Sequence, residues 1–184
     1  MRKNFGPKIW MYPLPVLIIG TYDESGKPNA MNAAWGGIYD TDQVMLCLSH
    51  GHKTYKNIQT KGAFTVSMGT ADQVVACDYV GIESGNKVEN KFEKAGFTAT
   101  KSEFVDAPII NELPMTLECK LVGETPEGII IGQIVNISAD ESVLTDGKID
   151  PTLLKPITFD PVNNSYRVLG EEVAKAFSAG SKLK

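Results

Sequence analysis

The sequence predicts a mainly β protein, an antiparallel barrel-like sheet with short peripheral helices. Apolar runs of strand length recur at close spacing, the helical patterns are few and short, and strand and helix never alternate in a sustained way. With 184 residues, of which 42% are apolar and 22% charged, the chain has material for one substantial core. One domain over residues 1–184 is expected, since no repeat, linker or low-complexity segment divides it.

Pro13-Leu14-Pro15 leads into a strand from Val16 to Tyr22. Asp23-Glu24-Ser25-Gly26-Lys27-Pro28 reads as a turn before a second strand, Asn29–Tyr39, so the two form a hairpin. Asp40-Thr41-Asp42 breaks the chain again. Val44–Leu48 then runs almost continuously apolar, as a strand covered on both faces does. A helix over Thr54–Lys61 follows, with Tyr55, Ile58 and Gln59 at helical spacing and Gly62 as its stop. Ala63–Met68 alternates as a strand.

Thr70-Ala71-Asp72-Gln73 has the form of a capping box and predicts a helix over Ala71–Tyr79. Gly81–Gly96 is polar and glycine-bearing, with Val88 and Phe92 as its apolar anchors, and reads as a surface excursion holding one helical turn. In the next strand Met115, Leu117, Cys119 and Leu121 share one face while Thr116, Glu118 and Lys120 share the other, the pattern of a half-buried antiparallel strand. Ile129–Ile137 is apolar on both faces and belongs centrally or at a subunit contact. Asp146-Gly147 marks a tight turn, Ser165–Val168 a last strand, and Gly170–Phe177 a closing helix with Glu171 and Glu172 in its first turn. The tail 178–184 is expected to fray.

The formal net charge of −4 opposes a general nucleic-acid surface, which needs a basic field. The longest apolar runs, Val16–Ile19 and Ile129–Ile131, fall far short of the roughly 20 residues that span a bilayer, so no membrane partner is expected. Cys47, Cys77 and Cys119 are odd in number and widely spaced, and no charged-then-apolar leader precedes them; a reducing cytoplasm is the expected location. No Gly-x-Gly-x-x-Gly follows a strand, no Walker lysine occurs, and no His-Glu-x-x-His occurs. Ser25 and Ser84 lack the context of a nucleophile elbow. Cys47, His50 and His52 lack the further ligands of a zinc site, and Cys47 reads as a small strand hydrophobe, so no metal is expected.

Two segments invite chemistry. Ser49-His50-Gly51-His52-Lys53-Thr54 stands where a strand gives way to a helix, and such a junction offers free N–H groups, a hydroxyl and an ammonium to a phosphate. Taken alone it reads rather as a solvated loop whose Lys53 and Lys56 face water. Asn29–Gly37 combines small residues, which let a flat ligand approach the backbone, with the amide of Asn32 and the aromatic wall of Trp35; the same composition suits a bulged or closely packed strand. Together they describe a planar ring with a phosphate at one end, the requirement of flavin mononucleotide (FMN).

At these residues the chain resembles the flavin reductase-like, FMN-binding split-barrel family, in particular its flavoredoxin-type members. The matching pieces include Pro13–Val16, Lys27–Trp35, Leu48-Ser49 with His52-Lys53-Thr54, Asp78-Tyr79 through Ser84-Gly85, Lys91-Phe92, Leu117–Cys119, Gly132–Val135 and Tyr166–Glu171. It is their shared order over nearly the whole chain that is specific. The resemblance implies a six-stranded Greek-key split barrel, a homodimer, and non-covalent FMN near the subunit contact. By position it implies that Asn32, Ala33, Ala34 and Trp35 lie along the isoalloxazine and ribityl chain. Ser49, His52, Lys53 and Thr54 would hold the phosphate side, with Lys91 as a lesser contact. Asn90 and Gln133 stand where many relatives carry Asp and Glu, so those two charges are absent here.

The function expected is that of an FMN-dependent oxidoreductase that accepts hydride or electrons at the flavin, with NADH or NADPH as candidate donor, and passes them to a flavin or a small-molecule or protein redox partner. No protein residue need be catalytic. The alternatives are an FMN-binding electron carrier and a flavin-sensing barrel.

Overall fold

A seven-stranded antiparallel sheet dominates the computed structural model, which describes residues 1–183. In chain order the strands are β1 (Leu14–Pro15), β2 (Leu17–Tyr22), β3 (Pro28–Ala33), β4 (Gly36–Asp40), β5 (Gln43–Cys47) and β6 (Ala63–Met68). There follow β7 (Ala99–Lys101), β8 (Pro108–Ile110), β9 (Met115–Glu124), β10 (Ile129–Ala139), β11 (Leu144–Thr145), β12 (Lys148–Ile149), β13 (Ile157–Asp160) and β14 (Ser165–Val168). The α-helices are α1 (Lys53–Lys61), α2 (Val74–Ile82), α3 (Lys91–Lys94) and α4 (Pro151–Leu154).

The main sheet runs β3-β2-β6-β9-β10-β5-β4. The step from β5 through α1 to β6 skips the positions of β10 and β9, a Greek-key return. β3 and β4 are opposite edges of the sheet, yet only Ala34-Trp35 separates them in sequence. The sheet therefore curls until its edges meet at that link, leaving a barrel split along one seam.

Seven strands, rather than six, result from this division. The Asn29–Tyr39 segment is not one strand: its first half pairs with β2 and its second with β5. Gly36 permits the break, because a Cβ there would lie 2.8 Å from the Met45 carbonyl oxygen and 3.0 Å from methyl carbons of Leu17 and Leu46.

β2 explains its unbroken apolar run by facing two cores. Leu17 and Ile19 pack inside the barrel with Leu46, Ile58, Phe64 and Ile130, while Ile18 faces an outer layer of Ala76, Cys77, Val80, Phe92 and Ile110. α1 thus sends Ile58 into the barrel, and α2 and α3 cover the outside of β2 and β3. β10 is central, between β9 and β5, as its two apolar faces require.

Several expectations need correction. Thr70 does not form a capping box: it is buried in a bridge to Pro156, its side chain caps nothing, and Ala71–Gln73 is a 3₁₀ turn leading into α2. β9 is buried on both faces over Thr116–Cys119, because Glu118 accepts hydrogen bonds from Ser102 and from Asn136 (2.6 Å), and Thr116 bonds Ser67 (2.8 Å). Gly170–Phe177 is not helical. Every side chain there is exposed, and a short helix without a packed face has little to sustain it; Phe177 takes φ 61°. Ala179–Leu183 forms a 3₁₀ turn, and Lys184, the end of the expected frayed tail, lies outside the described residues.

Candidate functional site

β3 and the start of α1 meet through buried amide and hydroxyl groups. Asn29 Nδ2 donates to Thr54 Oγ1 at 2.9 Å, and Asn57 Nδ2 donates to Thr21 Oγ1 at 3.0 Å, so two polar pairs pin the helix to the sheet. Thr54 is only 2% exposed. Ahead of it, the backbone N–H of His52 donates to the Ser49 carbonyl at 3.0 Å and closes the turn. His52 occupies the N-cap in an extended conformation without a side-chain cap, and no acidic residue stands in the first turn. The first N–H groups of α1 therefore keep their partial positive charge for an external acceptor.

Lys91 approaches from the long excursion after α2. It is 4% exposed, and its Nζ donates to the carbonyls of Val80 and Glu83, both at 3.1 Å, at the C-terminal end of α2. That arrangement caps a helix end. It uses two of three N–H groups and involves no carboxylate, so a buried cation is left with one donor free among the described residues. Burial pushes the Lys91 ammonium down to about 8, against the pull of Glu83. Lys91, Thr54, Lys53, His52 and Asn29 line one cavity of about 130 Å³.

Gly85 closes that cavity. A Cβ there would stand 2.4 Å from Asn29 Oδ1 and 3.3 Å from Lys53 Cδ, so the 84–89 segment lies against both only as glycine. Asn86 Nδ2 donates to the Gly51 carbonyl at 2.9 Å and ties the same segment to the basic turn.

Lys53 is placed differently from a free phosphate ligand. Its Nζ pairs with Asp23 Oδ2 at 3.1 Å. Burial pushes the Asp23 carboxyl up, but hydrogen bonds from Ser25, the Lys27 backbone and Lys53 outweigh it and hold it at about 2. His50 turns away to Glu124 (2.8 Å) and packs on Tyr55, so the two histidines of the turn do not act together.

A second cavity of about 220 Å³ shares Gly81 and Ile82 with the first. Asn32 and Ala34 line it, and Asn32 Nδ2 donates to the Cys77 carbonyl at 3.1 Å. Ala33 points its methyl into the barrel core, leaving only its backbone toward a ligand. Trp35 is 57% exposed at the seam, and its carbonyl accepts from Cys47 N–H at 2.8 Å. Ser49 is exposed, and it and Trp35 line neither cavity. Gln133 lies away on β10, bonded to Gln43 (3.3 Å) and the Asp42 carbonyl (3.0 Å), and Asn90 is exposed.

Of the expected residues, then, His52, Lys53, Thr54 and Lys91 share one cavity and Asn32 and Ala34 another. Lys91 ranks above Lys53 as the available cation, reversing the order expected. Asn29, Gly85 and Asp23 were not among the expected site residues. The Asp-x-Ser-Gly-Lys spacing signals only a turn, and nothing in the sequence marks that turn as reaching Lys53. The donor set suits a phosphate at one end, and the neutral amide and small residues suit an uncharged ring at the other.

This arrangement of a split barrel with an anion-suited helix start defines a class, and comparison with known proteins identifies it. Residues 10–160 match the model of the flavin reductase like domain, and the chain belongs to that family. It is similar to the flavoredoxin of Desulfovibrio vulgaris (Miyazaki F), with 40% identity, 98% of this chain and 100% of that chain covered, and a TM-score of 0.94. The flavoredoxin from Methanosarcina acetivorans is 27% identical with both chains fully covered and a TM-score of 0.88. An uncharacterized protein of Halalkalibacterium halodurans is 27% identical over 175 residues, 86% of this chain and 83% of the relative.

Proposed function

We propose that this chain is an FMN-dependent oxidoreductase of the flavin reductase or flavoredoxin type, with FMN held non-covalently. Lys91 carries this reading: a buried ammonium without a carboxylate partner, in one cavity with Thr54 and the uncapped start of α1, calls for an anion. FMN, when bound, would supply the redox chemistry, taking hydride or electrons from a donor such as NADH or NADPH and giving them to a flavin or another redox partner.

The chain's own residues bind and orient. Lys91, His52, Lys53, Thr54 and Ser49 take the phosphate side, while Asn32, Ala33, Ala34 and Trp35 take the ring and ribityl chain. No cysteine relay is invoked: burial pushes the Cys77 and Cys119 thiols up to about 11 and 12, so neither is a thiolate at neutral pH. All three cysteines are free, which suits a reducing cytoplasm. Exposed Trp35, Ile38 and Tyr39 at the seam support a homodimer with the flavin near its contact.

Purified protein that keeps a flavin absorbance through gel filtration supports this reading; colourless protein that ignores added FMN sinks it. The likeness to a flavoredoxin at 40% identity favours a second reading, an electron carrier that does not itself oxidise nicotinamides. Holoprotein mixed with NADH or NADPH and free flavin separates the two: nicotinamide consumption marks the reductase, its absence the carrier.

A further inference from the structure

The basic turn ahead of α1 is gripped from outside by a residue that lines neither cavity. Glu124 ends β9, opposite buried Ile130 on β10. The hairpin turn that follows it is closed by hydrogen bonds from Thr125 N–H to the Ile129 carbonyl (2.9 Å), Gly128 N–H to the Thr125 carbonyl (2.9 Å) and Ile129 N–H to Thr125 Oγ1 (3.3 Å), so the carboxylate stands on a firm mount. Its two oxygens hold different elements. Oε1 lies 2.8 Å from His50 Nε2 in the turn, while Oε2 accepts from Tyr55 Oη (2.6 Å) and Gln59 Nε2 (3.3 Å), four residues apart on one face of α1. The bonds from Tyr55 and His50 keep the Glu124 carboxyl below its usual range, so it accepts on both oxygens and His50 Nε2 carries the proton between them. The His50 ring also packs on Tyr55, with centroids 4.5 Å apart.

The inner side of α1 is pinned by the Asn29–Thr54 and Thr21–Asn57 pairs, but neither reaches Ser49–His52. That stretch closes one hydrogen bond within itself, from His52 N–H to the Ser49 carbonyl, and Asn86 ties its Gly51 carbonyl to the excursion. Among the described residues, His50 to Glu124 is its side-chain hydrogen bond to the barrel sheet. Because one carboxylate grips both turn and helix, it sets the angle between them, and with it the direction of the free N–H groups ahead of α1. Glu124 pairs with neither Lys53 nor Lys91, so it orders the anion site without neutralising its cations.

We propose that Glu124 is a positioning residue: by bridging His50 to Tyr55 and Gln59 it presets the Ser49–Thr54 turn for the cofactor phosphate, and so contributes to the preference for FMN over riboflavin. This rests on the flavin reading, since the anion it prepares for is the phosphate of FMN.

Fluorescence titrations with FMN and riboflavin test it, together with amide hydrogen exchange over residues 49–55 of the full flavin-free chain. Both side chains reach solvent, Glu124 at 24% and His50 at 68% exposure, so folding does not hang on them. Glu124→Ala should weaken FMN about fivefold to thirtyfold and riboflavin by less than about twofold, and should speed exchange across the turn. Glu124→Gln keeps an acceptor for Tyr55 and a polar partner for His50, and should bring FMN affinity back to within about threefold of wild type. His50→Ala should weaken FMN by a smaller factor, and the double variant should be no weaker than Glu124→Ala, because both changes cut the same tie. Equal losses for FMN and riboflavin, additive losses in the double variant, no rescue by Glu124→Gln, or unchanged exchange in Glu124→Ala would each overturn the proposal. Protein that binds neither flavin would refute the flavin reading instead, and the exchange of the turn, which needs no ligand, would then decide whether Glu124 orders it.

Discussion

Lys53 Nζ lies 3.1 Å from Asp23 Oδ2, so the lysine a phosphate would use already has an anion within its own chain. Asp23 is no loose competitor: its other oxygen accepts from Ser25 N–H (3.0 Å), Ser25 Oγ (2.7 Å) and Lys27 N–H (3.0 Å). A phosphate must share Lys53 with a carboxylate that the β2–β3 turn holds in place.

Asp23→Asn should therefore strengthen FMN binding about threefold to tenfold and leave riboflavin, which lacks the phosphate, unchanged. Stability should move the other way. The folded-state carboxyl, at about 2, sits below its unfolded value of about 3.9, so its contribution is present above about pH 4 and lost as pH falls through 2. Chemical denaturation of the wild type should show about 2 kcal/mol of stability lost over that window that the variant lacks.

Lys91→Met should cut the preference for FMN over riboflavin sharply, weakening FMN by about tenfold to a hundredfold, the worth of a charged hydrogen bond. The pH dependence has a definite sign. Below about pH 8 Lys91 is a cation and attracts the phosphate; above it the amine is neutral and the attraction fades. Fluorescence titrations should show wild-type FMN affinity falling from pH 7.5 to 9.5 while riboflavin affinity stays flat. A phosphate preference that survives undiminished in Lys91→Met would move the anion site to the basic turn alone.

Gly85→Ala should cost both binding and stability. Its methyl would press on Asn29 Oδ1, which must shift, and Asn29 in turn holds Thr54. A melting temperature several degrees lower and FMN binding at least tenfold weaker are expected, the scale of 1–3 kcal/mol for overpacking. Asn86→Ala, which removes only the tie to Gly51, should loosen binding less.

Ile38→Asp places a charge on the exposed face of β4. If that face is the homodimer contact, sedimentation should convert a dimer into a monomer at micromolar concentration, with FMN binding weakened alongside. A variant that remains dimeric would remove β4 from the interface.

Strand and helix positions were legible where one periodicity decided them. Ile58 and Gly62 fixed α1, and Gly62 does take φ 64° at its end. The alternation of Ala63–Met68 fixed β6. What the sequence could not show was how distant segments compete for one group. Thr70 looks like a helix cap until a backbone bridge to Pro156 draws its segment into the sheet, and Lys53 looks like a phosphate ligand until Asp23 claims it. The break at Ala34-Trp35 was hidden for a similar reason: a continuous strand and two strands on opposite edges have the same local pattern, and only β5 pulling on Gly36 separates them. Lys91 gained importance because burial, which no residue type announces, makes an ordinary lysine costly to leave without an anion.

The seam has a consequence for solubility. A sheet edge is a row of unsatisfied backbone groups, ready to template a foreign strand. At β3 the α2 helix packs alongside, with Asn32 bonded to Cys77, and blunts that edge. At β4 no such cover is present among the described residues, and Ile38 and Tyr39 stand open. An open β4 edge therefore leaves the chain liable to strand-on-strand polymerisation, so a charge introduced there bears on its shelf life.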